Sequence, residues 1–403
     1  MTTEDLTTAT ALDKSYVDDL FGVSARLRAA GPVHRVVTPE GEPAWLVTRY
    51  ADVRAALTDP ALSLDNANAR AGYRGSALPP ALARHLLNTD PPDHTRLRRL
   101  VGQAFTARRV DGLAGGIRTA ADALLDGLAG QAGADLVTAY AAPLPMTVIC
   151  DLLGVPAADQ GQFREWTHIL VDSAPDRGRR LRAAVTGIDG YTRDLIRRKR
   201  AEPGDDLLSA LIEARDVGDR LSEDELTSFT FVLFAAGYET SMGLISVGLL
   251  ELLRRPALCA AVRADPARLP GLVEELLRFC VPAALATRRF ALGRVEIGGV
   301  RIPPGDLVLL SLASANRDPE RFDHADELRP SRGPGHLAFG HGIHHCLGAP
   351  LARLEARIAL DRLLARFPGL APADPAAPPR WRPSTRTHGL LELPVTFGKD
   401  PGS

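Results

Sequence analysis

The feature that most constrains this chain is the stretch from Phe229 to Leu253, which is largely apolar and long enough to cross a bilayer. Such a segment has two homes: hydrocarbon, or the centre of a large folded core. Glu239, Thr240 and Ser241 sit near its middle, and no second span accompanies it. A carboxylate at that depth is costly in lipid, so the stretch reads as a buried central helix. Its start is marked by Ser222-Glu223-Asp224-Glu225, in which Ser222 and Glu225 have capping-box spacing. It can run to about Arg254, before Pro256. At roughly 1.5 Å per residue, that helix crosses a whole domain.

A core of this size suits 403 residues that are 45% hydrophobic and 24% charged. The net charge of −1 supplies no global field for nucleic acid, so any partner recognised by charge must meet a local patch. Cys150, Cys259, Cys280 and Cys346 are widely spaced with no CxxC. They make no disulfide framework and suit a reducing cytoplasm. The start, MTTEDLTTATALDKSYVDDLF, is polar and acidic, so neither signal peptide nor membrane anchor is expected. Residues 1–20 are expected to be a flexible N-terminus. With no repeat, low-complexity block or linker, residues 21–403 read as one domain.

Local patterns give a mainly α chain with a minor β region. PAWLVTRY (43–50) reads as a strand followed by a helix. Asp90-Pro91-Pro92 reads as a helix start with Asp90 as the cap. Residues 270–279 read as an amphipathic helix, 295–312 as a strand pair turned at Gly298-Gly299, and 389–397 as a last strand.

The most informative loop is Phe339-Gly340-His341-Gly342-Ile343-His344-His345-Cys346-Leu347-Gly348. Glycines before the cysteine permit backbone angles closed to other residues and a close approach to a flat ligand. The following LGAPLARLEARIALDRLLARF is helical in pattern, which puts Cys346 at a helix N-terminus where N–H groups favour a thiolate. A buried small hydrophobe and a zinc site are the competing readings. One ten-residue loop cannot easily aim four ligands at one metal.

This loop resembles the haem-binding signature of the cytochrome P450 family, Phe-Gly-x-Gly-x-His-x-Cys-x-Gly, at every fixed position, and similar sequence runs from about residue 30 to 397. The resemblance implies the cytochrome P450 fold, with the long central helix crossing over a haem b whose iron takes the Cys346 thiolate. It places Phe339 beside the sulfur, His344 at a haem propionate, and Gly340 and Gly348 in the wrapping loop. His94 and Arg98, four apart in HTRLR, match a second propionate contact, and Arg289 a third, with Arg288 as the alternative. Glu275 and Arg278 match the family's structural Glu-x-x-Arg pair, completed by Arg332 or Arg329.

In Ala236-Gly237-Tyr238-Glu239-Thr240, glycine and a carboxylate interrupt an apolar helix, a breach of local rules of the kind that marks function. The resemblance assigns catalysis here. Gly237 makes room above the iron, Thr240 hydrogen-bonds the dioxygen substrate, and Glu239 serves the proton path. A substrate pocket is expected from Leu233, Ala235, Ala236, Ala284, Leu285 and Ala286, within family-like pocket spans at 62–88, 165–180 and 385–389. Its alanines suggest a bulky apolar substrate. SALPPAL (76–82) and the text before DPPDHTRLRRLVGQAFT resemble bacterial members acting on macrolides and related polyketides in antibiotic biosynthesis. Steroids, terpenoids and peptide-derived natural products are alternatives, as are a ligand-sensing haem protein and a redox-neutral haem enzyme. The implied reaction is hydroxylation or epoxidation by a cytoplasmic monomer. Electrons would come from a separate ferredoxin and ferredoxin reductase, docked through Arg99, Arg108, Arg109, Arg353 and Arg357. No nucleic acid or membrane partner is expected.

Overall fold

A computed structural model describes residues 9–73, 85–171, 177–213, 215–216 and 219–398. The expectations on residues 1–8, on SALPPAL at 76–82 and on 172–176 lie outside them, as does the side chain of Ala235.

The central helix spans Glu223–Leu253. Both capping-box bonds are present: Ser222 Oγ accepts the Glu225 N–H at 3.2 Å, and the Ser222 N–H donates to Glu225 Oε2 at 2.7 Å. Among the described residues it is the one helix long and apolar enough to cross a membrane, but 71% of its most apolar stretch is buried inside the fold. Protein, not lipid, covers it. Helices Pro143–Leu152, Arg177–Ala201, Leu269–Cys280 and Ala349–Arg366 pack around it and share its hydrophobic core. A second core lies under a six-stranded sheet whose strands run in the order Thr10–Ala11, Val33–Val37, Pro43–Val47, Leu307–Leu310, Arg289–Ala291 and Leu62–Ser63. Val295–Ile297 and Val300–Ile302 form the antiparallel pair expected at Gly298-Gly299, and both glycines have positive φ.

Three expectations need correction. Residues 10–20 are no flexible tail. Thr10–Ala11 pairs with Val36–Val37, and Asp13 caps helix Lys14–Asp18 by accepting the Ser15 and Tyr16 N–H groups. Leu12, Tyr16, Val17 and Leu20 are buried in or against the second core; their helical spacing gathers an apolar face inside a polar segment. Asp90 precedes helix Asp93–Ala104 but does not cap it. Its carboxylate accepts from Ser63 Oγ and from the Leu64 N–H at 2.9 Å, tying the helix start to the sheet. The last strand covers only Pro394–Thr396, because residues 389–391 turn their backbone to Arg380 and Arg382 instead.

Candidate active site

The cysteine loop is held from both ends. The Cys346 N–H donates to the Phe339 carbonyl at 2.9 Å, and Gly340 and Gly342 take φ of +72° and +75°. A side chain on Gly342 would strike Thr58, so the loop lies directly on the preceding segment. Gly348 caps helix Ala349–Arg366, and a Cβ there would meet the Cys346 sulfur at 3.8 Å. Burial pushes the thiol up, while the Gly348 and Ala349 N–H groups and the nearby Arg98 and Arg353 pull it down. Cys346 is exposed to a solvent probe, yet desolvation dominates its acidity. A side chain with both properties faces an internal cleft rather than the outer surface.

Beneath the loop, helix Leu269–Cys280 carries a saturated ion-pair network. Arg278 binds both Glu275 oxygens at 2.8 Å and donates to the carbonyls of Asn316, Ala325 and Glu327. Arg332 Nε reaches Glu275 Oε1 at 3.2 Å; Arg329 offers Glu275 only its backbone N–H, with its guanidinium on Glu327. Arg332 is therefore the side chain in the network. Glu274, which sequence reasoning missed, binds His336 and Arg353. Burial alone would raise its carboxyl, but those two partners hold it down to about 2. Arg353 is thus already paired and also covers the Phe339 ring at 4.6 Å.

His94 and His344 come together with ring centroids 4.0 Å apart. Both Nδ1 atoms are buried without a hydrogen-bond partner. Burial, His94 and Arg289 push His344 down to about 4. Arg289 is 1% exposed and spends its donors on the Thr287 and Leu57 carbonyls; Arg98 donates to the His345 carbonyl. Among the described residues neither arginine pairs with a carboxylate. Arg288 turns away to Tyr73 Oη at 2.8 Å. Unpartnered buried ring nitrogens beside two arginines free of carboxylates, with Arg98 acting on the thiol, fit a flat iron cofactor with anionic side groups.

On the central helix, Thr240 Oγ1 donates back to the Ala236 carbonyl at 2.8 Å. Ala236 is accessible, on the same helical face as Thr240. A Cβ on Gly237 would meet the Ile149 side chain at 3.1 Å, so its small size admits the neighbouring helix. Glu239 Oε1 accepts from Thr387 Oγ1 at 2.7 Å, and Ser384 Oγ lies 2.9 Å from that hydroxyl. Leu285 is nearly buried, Ala286 partly accessible, and Leu233 packs on the main core. Ala284 is 1% exposed inside the second core, which removes it from the pocket wall, and Leu285 packs into the same core.

Sequence reasoning also missed Glu355, buried on the helix after the cysteine, with Ser241, next to Thr240, acting on its carboxyl and with Oε1 unpartnered. Burial raises its carboxyl to about 8 despite Ser241. The signal was one carboxylate on the apolar face of that helix. Outside the cleft, a solvent-open groove of about 550 Å³ lined by Tyr50, Arg54, Arg321, His341 and His345 borders the loop's other side; Cys346 is not in its wall.

The Cytochrome P450 family pattern matches residues 169–383, more than half the chain. The chain belongs to the cytochrome P450 family. It is 47% identical over 412 residues to Cytochrome P450 107B1 of Saccharopolyspora erythraea, covering 99% of this chain and 100% of that one. Mycinamicin IV hydroxylase/epoxidase of Micromonospora griseorubida is 43% identical, covering 94% and 96%. The Bacillus subtilis bacillaene polyketide synthase cytochrome P450 PksS superposes with a TM-score of 0.90 at 39% identity, covering 96% and 98%. This P450 is therefore a haem-thiolate monooxygenase that takes an apolar substrate and O2 and draws electrons from redox partners.

Proposed function

We propose that this P450 hydroxylates or epoxidises a macrolide or related polyketide in bacterial secondary metabolism, as a monomeric, single-domain cytoplasmic enzyme using haem b. The observation that carries the reading is the Cys346 thiol on its glycine-bounded loop, beside the unpartnered ring nitrogens of His94 and His344 and two arginines free of carboxylates. The names of the mycinamicin and bacillaene relatives support the substrate class.

When bound, the haem supplies the redox chemistry that delivers one oxygen atom of O2 to substrate and the other to water. The chain supplies the remaining functions. Cys346 presents its sulfur with the Gly348 and Ala349 amides behind it. His94, Arg98, Arg289 and His344 hold the propionates, and Phe339, Gly340 and Gly348 shape the loop. Thr240 holds a proton at Oγ1 facing the cleft, and breaking its bond to Ala236 makes that proton available. Two carboxyls stand behind it. Glu239 is recharged through the hydroxyls of Thr387 and Ser384. Burial holds the Glu355 carboxyl up to about 8, with Ser241 acting on it. A ferredoxin served by its reductase docks at Arg99, Arg108, Arg109 and Arg357.

The deciding measurement is the absorption spectrum of the reduced, carbon-monoxide-bound protein. A strongly red-shifted Soret band is expected in the wild type and must vanish in Cys346→His. An unchanged band in that variant would remove the thiolate. Spectral titration with macrolides, steroids and terpenes then tests the substrate class; a stronger response to steroids or terpenes overturns it.

A further inference from the structure

The cleft holds a second group of cations that the haem reading does not use. Arg386 is stitched into the wall: its carbonyl accepts the N–H groups of Ala284 at 2.9 Å and Leu285 at 3.4 Å, and its neighbour Thr387 binds Glu239. Its guanidinium is accessible to solvent, yet burial is the main influence on its acidity and lowers it. Its place beside the central helix follows from its neighbours: Thr387 sits on Glu239, and the Arg386 carbonyl holds the Ala284 and Leu285 amides. Among the described residues this side chain makes no hydrogen bond and no ion pair.

The other enclosed arginines behave differently. Arg278, Arg289 and Arg317 each spend their donors on carbonyl or carboxylate oxygens. An enclosed guanidinium without an acceptor is costly unless a ligand supplies one. The groups that influence it are Arg288, Glu239, Glu40 and Tyr73, and Arg386 in turn depresses His85. Glu239 is committed to Thr387, and Arg288 adds a second positive charge on its Tyr73 bond. The propionate cations are a separate set. His94 and His344 answer to Arg98 and Arg289, and none of these is among the main influences on Arg386.

We propose that Arg386 is a specificity-determining residue that binds the carboxylate of an otherwise apolar substrate, with Arg288 reinforcing the charge. This rests on the monooxygenase reading above and narrows its substrate to an acid. A planar guanidinium takes a carboxylate through two parallel bonds, and the enclosed setting strengthens the pair relative to water. Ala236 and Ala286 offer small apolar walls to the body of the molecule. The same charge disfavours a substrate whose head group is an amine.

Calorimetric titration of the haem-loaded protein with myristic acid, its methyl ester and tetradecylamine tests this directly. The wild type should bind the acid about tenfold or more tightly than the ester, the scale of one hydrogen-bonded charge pair, and the amine most weakly. Arg386→Leu should abolish the preference while leaving ester affinity within about twofold, and Arg386→Lys should retain part of it. Equal wild-type affinity for acid and ester overturns the proposal, and so does a preference that survives Arg386→Leu. The wild-type ratio needs no variant, so misfolding of Arg386→Leu does not shield the idea. Absence of the thiolate-type carbon monoxide band is a different result, and it counts against the monooxygenase reading instead.

Discussion

Around Glu275 each nitrogen of Arg278 finds an oxygen, whereas around Arg386 the guanidinium finds none among the described residues. Arg278 is 1% exposed, whereas Arg386 is accessible although burial still lowers its acidity. Around Arg278, the protein supplies both halves of every pair, so the geometry is complete before anything binds. Around Arg386, it supplies only one half. The contrast separates parts that position a permanent group from parts that wait for a transient one. A saturated buried network rigidifies its surroundings, and an unsatisfied one is tolerable only where a partner arrives.

The contrast breaks most visibly if the lower network is opened. Arg278→Leu leaves Glu275 charged and buried without its main partner, so urea unfolding should show a loss of about 3–5 kcal/mol. A loss below about 1 kcal/mol would mean that the network is ornamental. Next comes Thr240→Ala, which removes the proton-bearing hydroxyl facing the cleft but leaves folding intact. The fraction of electrons recovered in product, against peroxide, should fall about tenfold, at the low end of a positioned proton donor's effect. Unchanged coupling removes Thr240 from the proton path.

His94→Leu sharpens the comparison from the other side, since it deletes a donor waiting for a propionate. Haem retention under dilution should weaken by about 1.5–3 kcal/mol, while the stability of the haem-free chain changes little or rises.

Glu355 then gives a pH test with a definite sign. Its folded carboxyl sits at about 8, above the ordinary value near 4.3, so the native state binds the extra proton between those limits. Its contribution is present below about 4.3 and is lost as pH rises toward 8. Glu355→Gln should therefore gain melting temperature relative to wild type at pH 8 more than at pH 5. The opposite trend shows that the carboxyl is not held protonated.

The smallest expected effect is at the docking face. Charge reversal at Arg108 and Arg357, both exposed, should slow reduction by ferredoxin a few-fold at low salt and hardly at high salt.

Much of the lower half was legible in the sequence because its chemistry depends on local spacing. The Phe339–Gly348 loop, the His94–Arg98 pair and the Glu275–Arg278 pair all lie within single segments. The central helix announced itself by its capping box and its length. What sequence hid was direction. A period-3.6 pattern places Gly237 on the helix but does not say that it faces Ile149. Ala284 and Leu285 read as pocket wall, but both pack into the second core. Long-range partners were equally hidden: Glu355 to Ser241, Glu239 to Thr387, and Glu274 to His336 and Arg353 join segments 62 to 148 residues apart. Asp90 looked like a helix cap because Pro follows it, but the sheet competed for its carboxylate and won.

Gly243 has a bearing on how such a chamber can diversify. A methyl group there would lie 2.8 Å from the His388 carbonyl, so the central helix and the segment carrying Arg386 and Thr387 are pressed backbone to backbone. That segment has little freedom to slide or tilt. New substrate preferences in proteins built this way must come from exchanging the side chains at 385–387 on a fixed track, one letter at a time. Whole-loop remodelling would have to begin by prising the helix away.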